Sequence, residues 1–262
     1  MNDSGQLNED RAKRKLEQIQ SLLTFIKDEI EVLSMTKSNL TILEFGGGSG
    51  HVALLLAYLY PQHHIILCER KPYSIQIAQQ RIQESGLQNI TIVNQEITPE
   101  WSILFDVGIA LHSCGNLTDV SLSICQKFRA SFVIVPCCYG QLVKPPLPCV
   151  TQETDEYLQT IGYIRRSNIF LKNLTPKLYE DLVLMADITN IPTLSSDHEI
   201  CNNSSDQNLD YSIGRTCMNI IDLDRLFHIA ELLEDSAALF GLNHLDPWTC
   251  SPKNNVIYGR FL

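Results

Sequence analysis

Between Thr41 and Ala130 the chain alternates short apolar runs with stretches of helical period, and this alternation restricts the fold more than any other feature. Residues 41–45, 64–68, 90–93 and 105–111 read as strands, residues 51–60, 73–85 and 119–128 read as helices, and residues 131–135 add a further strand. Strands separated by helices of this length become parallel neighbours through right-handed crossovers. The expected class is therefore α/β, a doubly wound and mostly parallel sheet covered on both faces. Two later apolar runs, 242–245 and 255–262, are expected to close the chain as strands, with an antiparallel strand at the C-terminal end.

The ends of the chain organise around that sheet. Residues 1–36 are expected to form an N-terminal amphipathic helix, since Leu16, Ile19, Leu22, Leu23, Phe25, Ile26, Ile30 and Leu33 recur at helical spacing. Its charged start, Arg11, Lys13, Arg14 and Lys15, reads first as a solvated face and second as a surface for phosphate. Residues 37–262 form the main domain, with a lid or insertion at about 141–215 that opens on the turn-rich run Lys144-Pro145-Pro146-Leu147-Pro148. Residues 195–210 lack an apolar period and are expected to be a surface loop. Residues 218–239 read as a helix that Gly241 is placed to end.

Composition narrows the function classes. The longest apolar runs, 52–60 and 132–135, fall far short of the roughly 20 residues of a membrane-spanning helix, and the N-terminus is polar. A cytoplasmic protein with no membrane partner is expected. Nine cysteines scattered through apolar strand patterns are expected to stay reduced. A formal net charge of −10 argues against gripping nucleic acid by charge alone, so an RNA substrate requires a local basic patch or a protein partner that supplies one.

The strongest local signal is Ile42-Leu43-Glu44-Phe45-Gly46-Gly47-Gly48-Ser49-Gly50-His51, a strand that enters glycines and then an apolar helix. Such a turn lets a ligand approach the backbone closely. A dinucleotide fingerprint needs glycine where His51 stands, and fails. What remains, an acid followed by G-x-G-x-G, resembles the first motif of Rossmann-like class I methyltransferases, whose cofactor is S-adenosylmethionine. That resemblance implies that Glu44 holds the methionine end of the cofactor and that Gly46, Gly48 and Gly50 let it lie on the backbone. Glu69 ends the next strand, where a carboxylate can accept ribose hydroxyls. Glu96, just past the third strand, fits the position that binds the adenine amino group, with Asn94 and Gln95 as competitors.

Two further strand ends carry chemistry: Leu111-His112-Ser113-Cys114-Gly115 and Val135-Pro136-Cys137-Cys138-Tyr139-Gly140. His112 is a candidate general base and is counted with the cofactor-facing residues as well. Cys137 or Cys138 is a candidate nucleophile for carbon methylation. A metal site from His112, Cys114, Cys137 and Cys138 is the third option, but H-x-C with C-C is no standard zinc spacing, and no metal is expected. Against all three stands plain packing by buried cysteine. Tyr139 is the candidate for shaping the acceptor pocket. The N-P-P-Y or D-P-P-Y run of amino methyltransferases is absent after the fourth strand.

Together the runs GGGSGHVALLLA, ALHSCGNLTD, VPCCYG, CMNIIDLDR and CSPKNNVIYG resemble the methyltransferase domain of the glutathione S-transferase C-terminal domain-containing protein family, over residues 11–262. H-x-C-G with C-C is also similar, more weakly, to eukaryotic tRNA 2′-O-methyltransferases. The resemblance implies S-adenosylmethionine-dependent methylation, with RNA as the leading acceptor. A protein or small-molecule acceptor, or a fold that binds and no longer catalyses, are the alternatives. The family's glutathione-transferase-like region has only one helix in its place here, so no glutathione chemistry is expected. Asp119 and residues 251–255 are expected near the site; Lys144, Arg165, Arg166, Arg215 and Arg225 are where a basic surface is expected, and Lys253 reads first as a hairpin-turn lysine and second as a phosphate contact.

Overall fold

The structure, a computed structural model, describes residues 9–143, 167–188, 204–233 and 237–262. Helix α1 (Glu9–Ser34) precedes β1 (Thr41–Phe45), α2 (His51–Leu59), β2 (His64–Glu69), α3 (Pro72–Ser85), β3 (Ile90–Asn94), β4 (Val107–Cys114), α4 (Asn116–Phe128) and β5 (Ser131–Cys137). A 3-10 turn at Tyr139–Val143 leads on to α5 (Asn168–Asn173), α6 (Pro176–Ala186) and α7 (Ser204–Glu231). Strand β6 (Ala238–His244), a 3-10 turn at Trp248–Cys250 and β7 (Asn255–Phe261) complete it.

Seven strands form one sheet in the order β3-β2-β1-β4-β5-β7-β6. Strands β1 to β5 pair in parallel, and β7 runs antiparallel to both β5 and β6. This is the doubly wound, mostly parallel class expected from the alternation, with its reversed strand at the C-terminal end. The winding reverses between β1 and β4, which are adjacent in space but not in sequence, and at such a point the carboxyl ends of the strands open a crevice.

Strand side chains alternate faces, and two core layers record it. Ile42, Ile65, Leu67, Val133 and Val135 pack with Val52 and Leu56 of α2 on one face. Leu43, Phe45, Ile66, Phe132 and Ile134 pack with Trp101 and Leu122 on the other. Ile19, Leu22, Ile26 and Ile30 of α1 join the first layer, so the apolar stripe read from the sequence is a core surface. A third cluster of Tyr139, Leu142, Tyr179, Val183, Met218 and Ile221 fixes α6 and α7 to the chain leaving β5. Among the described residues no helix is long and apolar enough to cross a membrane.

The C-terminal third differs from the sequence reading. Helix α7 starts at Ser204, so residues 204–210 are helical rather than a loop, and it stops at Glu231 rather than near 239. Gly241 ends no helix. It lies within β6, where a Cβ would meet the Tyr258 ring of β7 at 2.3 Å, and glycine is required there by that close approach. The apolar run Ala238-Leu239-Phe240 suits either period, and only pairing with β7 settles it as strand. The Lys144–Pro148 turn and the Arg165-Arg166 pair of the expected lid lie outside the described residues.

Candidate active site

The chain leaving β1 must turn sharply to start α2. Gly46, Gly48 and Gly50 all take positive φ, 65°, 57° and 80°. Two neighbouring constraints explain which glycines the packing demands. A Cβ on Gly50 would meet Leu54 Cδ1 at 2.4 Å and Leu67 Cδ1 at 2.9 Å, whereas one on Gly47 would meet Glu44 Oε2 at 2.7 Å. A Cβ on Gly48 would meet nothing within 4 Å, so this residue borders open space. Gly47 escaped the sequence reading because its need comes from the Glu44 carboxyl and not from its own φ.

Glu44 is 3% exposed. Its Oε2 accepts a 2.9 Å hydrogen bond from Ala53 N, one of the orphan amides in the first turn of α2, where Gly50 offers no side-chain cap. Burial pushes the Glu44 carboxyl up to about 8, with Glu69 adding to the rise and the Ala53 amide and Lys15 opposing it. At neutral pH the free protein therefore holds this carboxyl largely protonated.

Glu69, also buried, closes the loop from the β2 side. Its Oε1 accepts from Arg70 N and Lys71 N, both at 2.8 Å, and its Oε2 accepts from Gly48 N at 3.0 Å. Oε1 is thereby filled, and Oε2 keeps one acceptor site. Glu96 differs from these two acids: it is exposed and forms an ion pair with Arg70 at 3.1 Å.

At the end of β4 the register slips between Leu111 and Ser113, and His112 adopts φ 67°. His112 Nε2 lies 2.8 Å from Gln18 Oε1 of α1, while Gln18 Nε2 donates to Cys250 O at 2.7 Å. That second bond orients the amide, so Nε2 of His112 carries the proton and Nδ1 the lone pair. Burial, then the Lys15 charge, lower the His112 pKa to about 4. Lys15 is itself half-buried, and burial lowers its pKa against the pull of Glu44 and Cys137. Lys15 and Gln18 thus bring α1 to the crevice, so Lys15 departs from the solvated face that its charged neighbours Arg11, Lys13 and Arg14 keep.

Cys114 and Cys137 are register partners on adjacent strands, with their Sγ atoms 3.0 Å apart. The contact between the two sulfurs lowers the Cys114 pKa, and the same contact together with burial raises that of Cys137. Cys138 joins them through a residue with φ 51°. All seven cysteines among the described residues are unbridged. Tyr139 is 1% exposed, and its hydroxyl donates to Asp222 Oδ2 at 2.7 Å, so it anchors α7 rather than lining an open pocket.

The expected basic surface is corrected at one position. Arg225 is buried, not surface-exposed: Nε donates to Asp119 Oδ1 and Nη1 to Asp222 Oδ1, each at 2.7 Å. Arg215 donates to Asn254 Oδ1 at 2.6 Å, and Lys253 pairs with Asp187. Asp119, expected near the site, holds Arg225 against the Gly115 turn.

A family profile described as a methyltransferase domain matches residues 14–145, which run from the crevice end of α1 through the glycine loop to the ends of β4 and β5. The chain belongs to this methyltransferase family. It is 32% identical over 255 residues to the glutathione S-transferase C-terminal domain-containing protein of Homo sapiens, covering 97% of this chain and 34% of that protein. The homologue from Drosophila melanogaster is 31% identical over 260 residues, covering 99% of this chain and 38% of that one. The methyltransferase chain therefore spans little more than a third of the length of these relatives. Among solved structures, the magnesium protoporphyrin IX methyltransferase of Synechocystis PCC 6803 with bound SAM overlaps at TM-score 0.45 and 10% identity, covering 98% of this chain and 85% of that one. So distant a likeness adds nothing to the family assignment, which rests on the sequence match.

Proposed function

We propose that this methyltransferase domain moves the methyl group of S-adenosylmethionine to RNA, with the methyl donor lying over Gly48 between Glu44 and Glu69. The open space above Gly48, bordered by two buried carboxyls, carries the cofactor reading. The residues suit the group. Glu44 meets the need of an ammonium, Glu69 Oε2 keeps an acceptor site for a ribose hydroxyl, and Ser113 Oγ near the end of β4 and Asn116 Oδ1 at the start of α4 are buried without a hydrogen-bond partner. When bound, the cofactor supplies a methyl group already activated on sulfonium sulfur, and the protein's part is alignment and exclusion of water.

Glu44 makes that binding pH-dependent. A cation beside the carboxyl favours its ionised form, so ligand binding at neutral pH releases a proton. Affinity is expected to rise with pH, by up to about tenfold per unit, and to level off above about 8. The unbound fold responds in the opposite sense. Its carboxyl is raised from 4.5 to about 8, the fold holds more protons than the unfolded chain across that window, and stability falls as pH rises through it. Calorimetric titrations in buffers of different ionisation enthalpy count the proton, and Glu44→Gln should abolish both dependences. Equal proton release by wild type and Glu44→Gln would remove Glu44 from this role.

RNA is favoured by the position of one basic turn. Arg11, Lys13 and Arg14 of α1 are exposed, and the next residue, Lys15, acts on Glu44 and His112 in the crevice. This turn is the phosphate surface proposed here, in place of Arg225. Reversing Arg11, Lys13 and Arg14 to glutamate is expected to abolish methylation of cellular RNA by labelled cofactor while cofactor affinity persists. Label appearing in protein or small molecules instead would replace RNA as the acceptor, and cofactor binding without any transfer would favour a binding fold.

A further inference from the structure

We propose that Cys114, Cys137 and Cys138 form a binding site for a single zinc ion at the carboxyl ends of β4 and β5. The three Sγ atoms lie within 4.8 Å of one another. Zinc bonds thiolate sulfur at about 2.3 Å, and tetrahedral geometry then separates pairs of sulfurs by about 3.8 Å. The observed spacing, from 3.0 Å for the Cys114–Cys137 pair to the 4.8 Å limit, brackets that value, so side-chain rotation suffices to close the site.

The backbone explains the convergence. Cys114 and Cys137 share a face because they are register partners in a parallel pair. Consecutive residues of an extended chain point to opposite faces, and Cys138 would normally point away from Cys137. It does not, because Cys138 has φ 51°, a conformation that non-glycine residues adopt at a cost and that gathers at ligand and active sites. Packing alone has no need of this turn: Cys125, on the core side of the sheet, is fully buried in a regular helix.

Chemistry agrees with the geometry. Three thiolates carry one more charge than zinc neutralises, and a bound zinc ion itself drives deprotonation of the thiols that coordinate it. Cys114 and Cys138 are half-buried, so an ion can reach them. His112 is held by Gln18 and is not counted as a ligand, which leaves the fourth position to water or to a donor atom of the methyl acceptor. The site does not depend on the cofactor reading, because metal and cofactor are measured separately on one sample.

The test uses the full chain, purified under reducing conditions and stripped with chelator, then titrated with cobalt(II) and with zinc(II). Expected are one equivalent of zinc and, for cobalt, sulfur-to-metal charge transfer with the visible bands of a tetrahedral site. Cys138→Ser should weaken binding by about 100-fold or more, with circular dichroism and cofactor affinity unchanged; Cys114→Ser should do the same, and Cys125→Ala should leave it intact. Absence of a cobalt spectrum, binding unaltered in both serine variants, or a mass lower by one disulfide in place of metal would each overturn the proposal.

Discussion

Replacing Arg225 with methionine is expected to destabilise the fold by about 3–5 kcal/mol, measured by urea unfolding. The side chain is 3% exposed and lies between two buried carboxylates, two of its nitrogens bonding Asp119 and a third bonding Asp222. Burial works against its charge, yet Asp119 and Asp222 outweigh that and hold its pKa well above the ordinary value. Methionine fills much of the volume but leaves both acids without their cation. Asp222 retains hydrogen bonds from Tyr139 and Asn255, which moderate its share of the loss. Since domains are stable by only about 5–15 kcal/mol, the variant should approach the limit of folding. Adding Asp119→Asn and Asp222→Asn should recover part of the loss by removing the uncompensated charges. A loss below about 1 kcal/mol would mean that water reaches the network.

Gly48→Leu is expected to weaken cofactor binding by about 100-fold, the equivalent of an overpacking cost of about 3 kcal/mol, with a smaller effect on stability. The fold should tolerate it because a Cβ there meets nothing within 4 Å, and the cost is the positive φ alone, about 1–2 kcal/mol. Gly50→Ala provides the contrast. Its Cβ would strike Leu54 and Leu67, so it should damage the fold itself. Calorimetry with S-adenosylmethionine, beside thermal unfolding of both variants, separates the two effects. Unchanged affinity in Gly48→Leu would move the donor away from the loop.

Local rules made much of the crevice legible. Glu44, Glu69, His112, Cys114 and Cys137 all lie at strand ends, as the alternation of strand and helix required, and the glycines lie where the chain turns from β1 into α2. Other contacts were not legible because their partners are far apart in the chain. Gln18 reaches His112 from 94 residues away, and Arg225 reaches Asp119 from 106. Arg225 reads in sequence as one more surface cation, and only its burial reverses that. Gly241 likewise reads as a helix terminator until Tyr258 is found across from it.

By itself the sequence determined the order of strands and helices from α1 to β5, the class of sheet and the glycine turn with its acid. These follow from side-chain period and from the steric freedom of glycine, properties that each short segment carries alone. Tertiary structure decided which charges remain at the surface, how far Glu44 departs from an ordinary carboxyl, and that Gln18 holds His112 away from the three sulfurs. Those are matters of distance and dielectric between residues remote in the chain, and no local pattern records them.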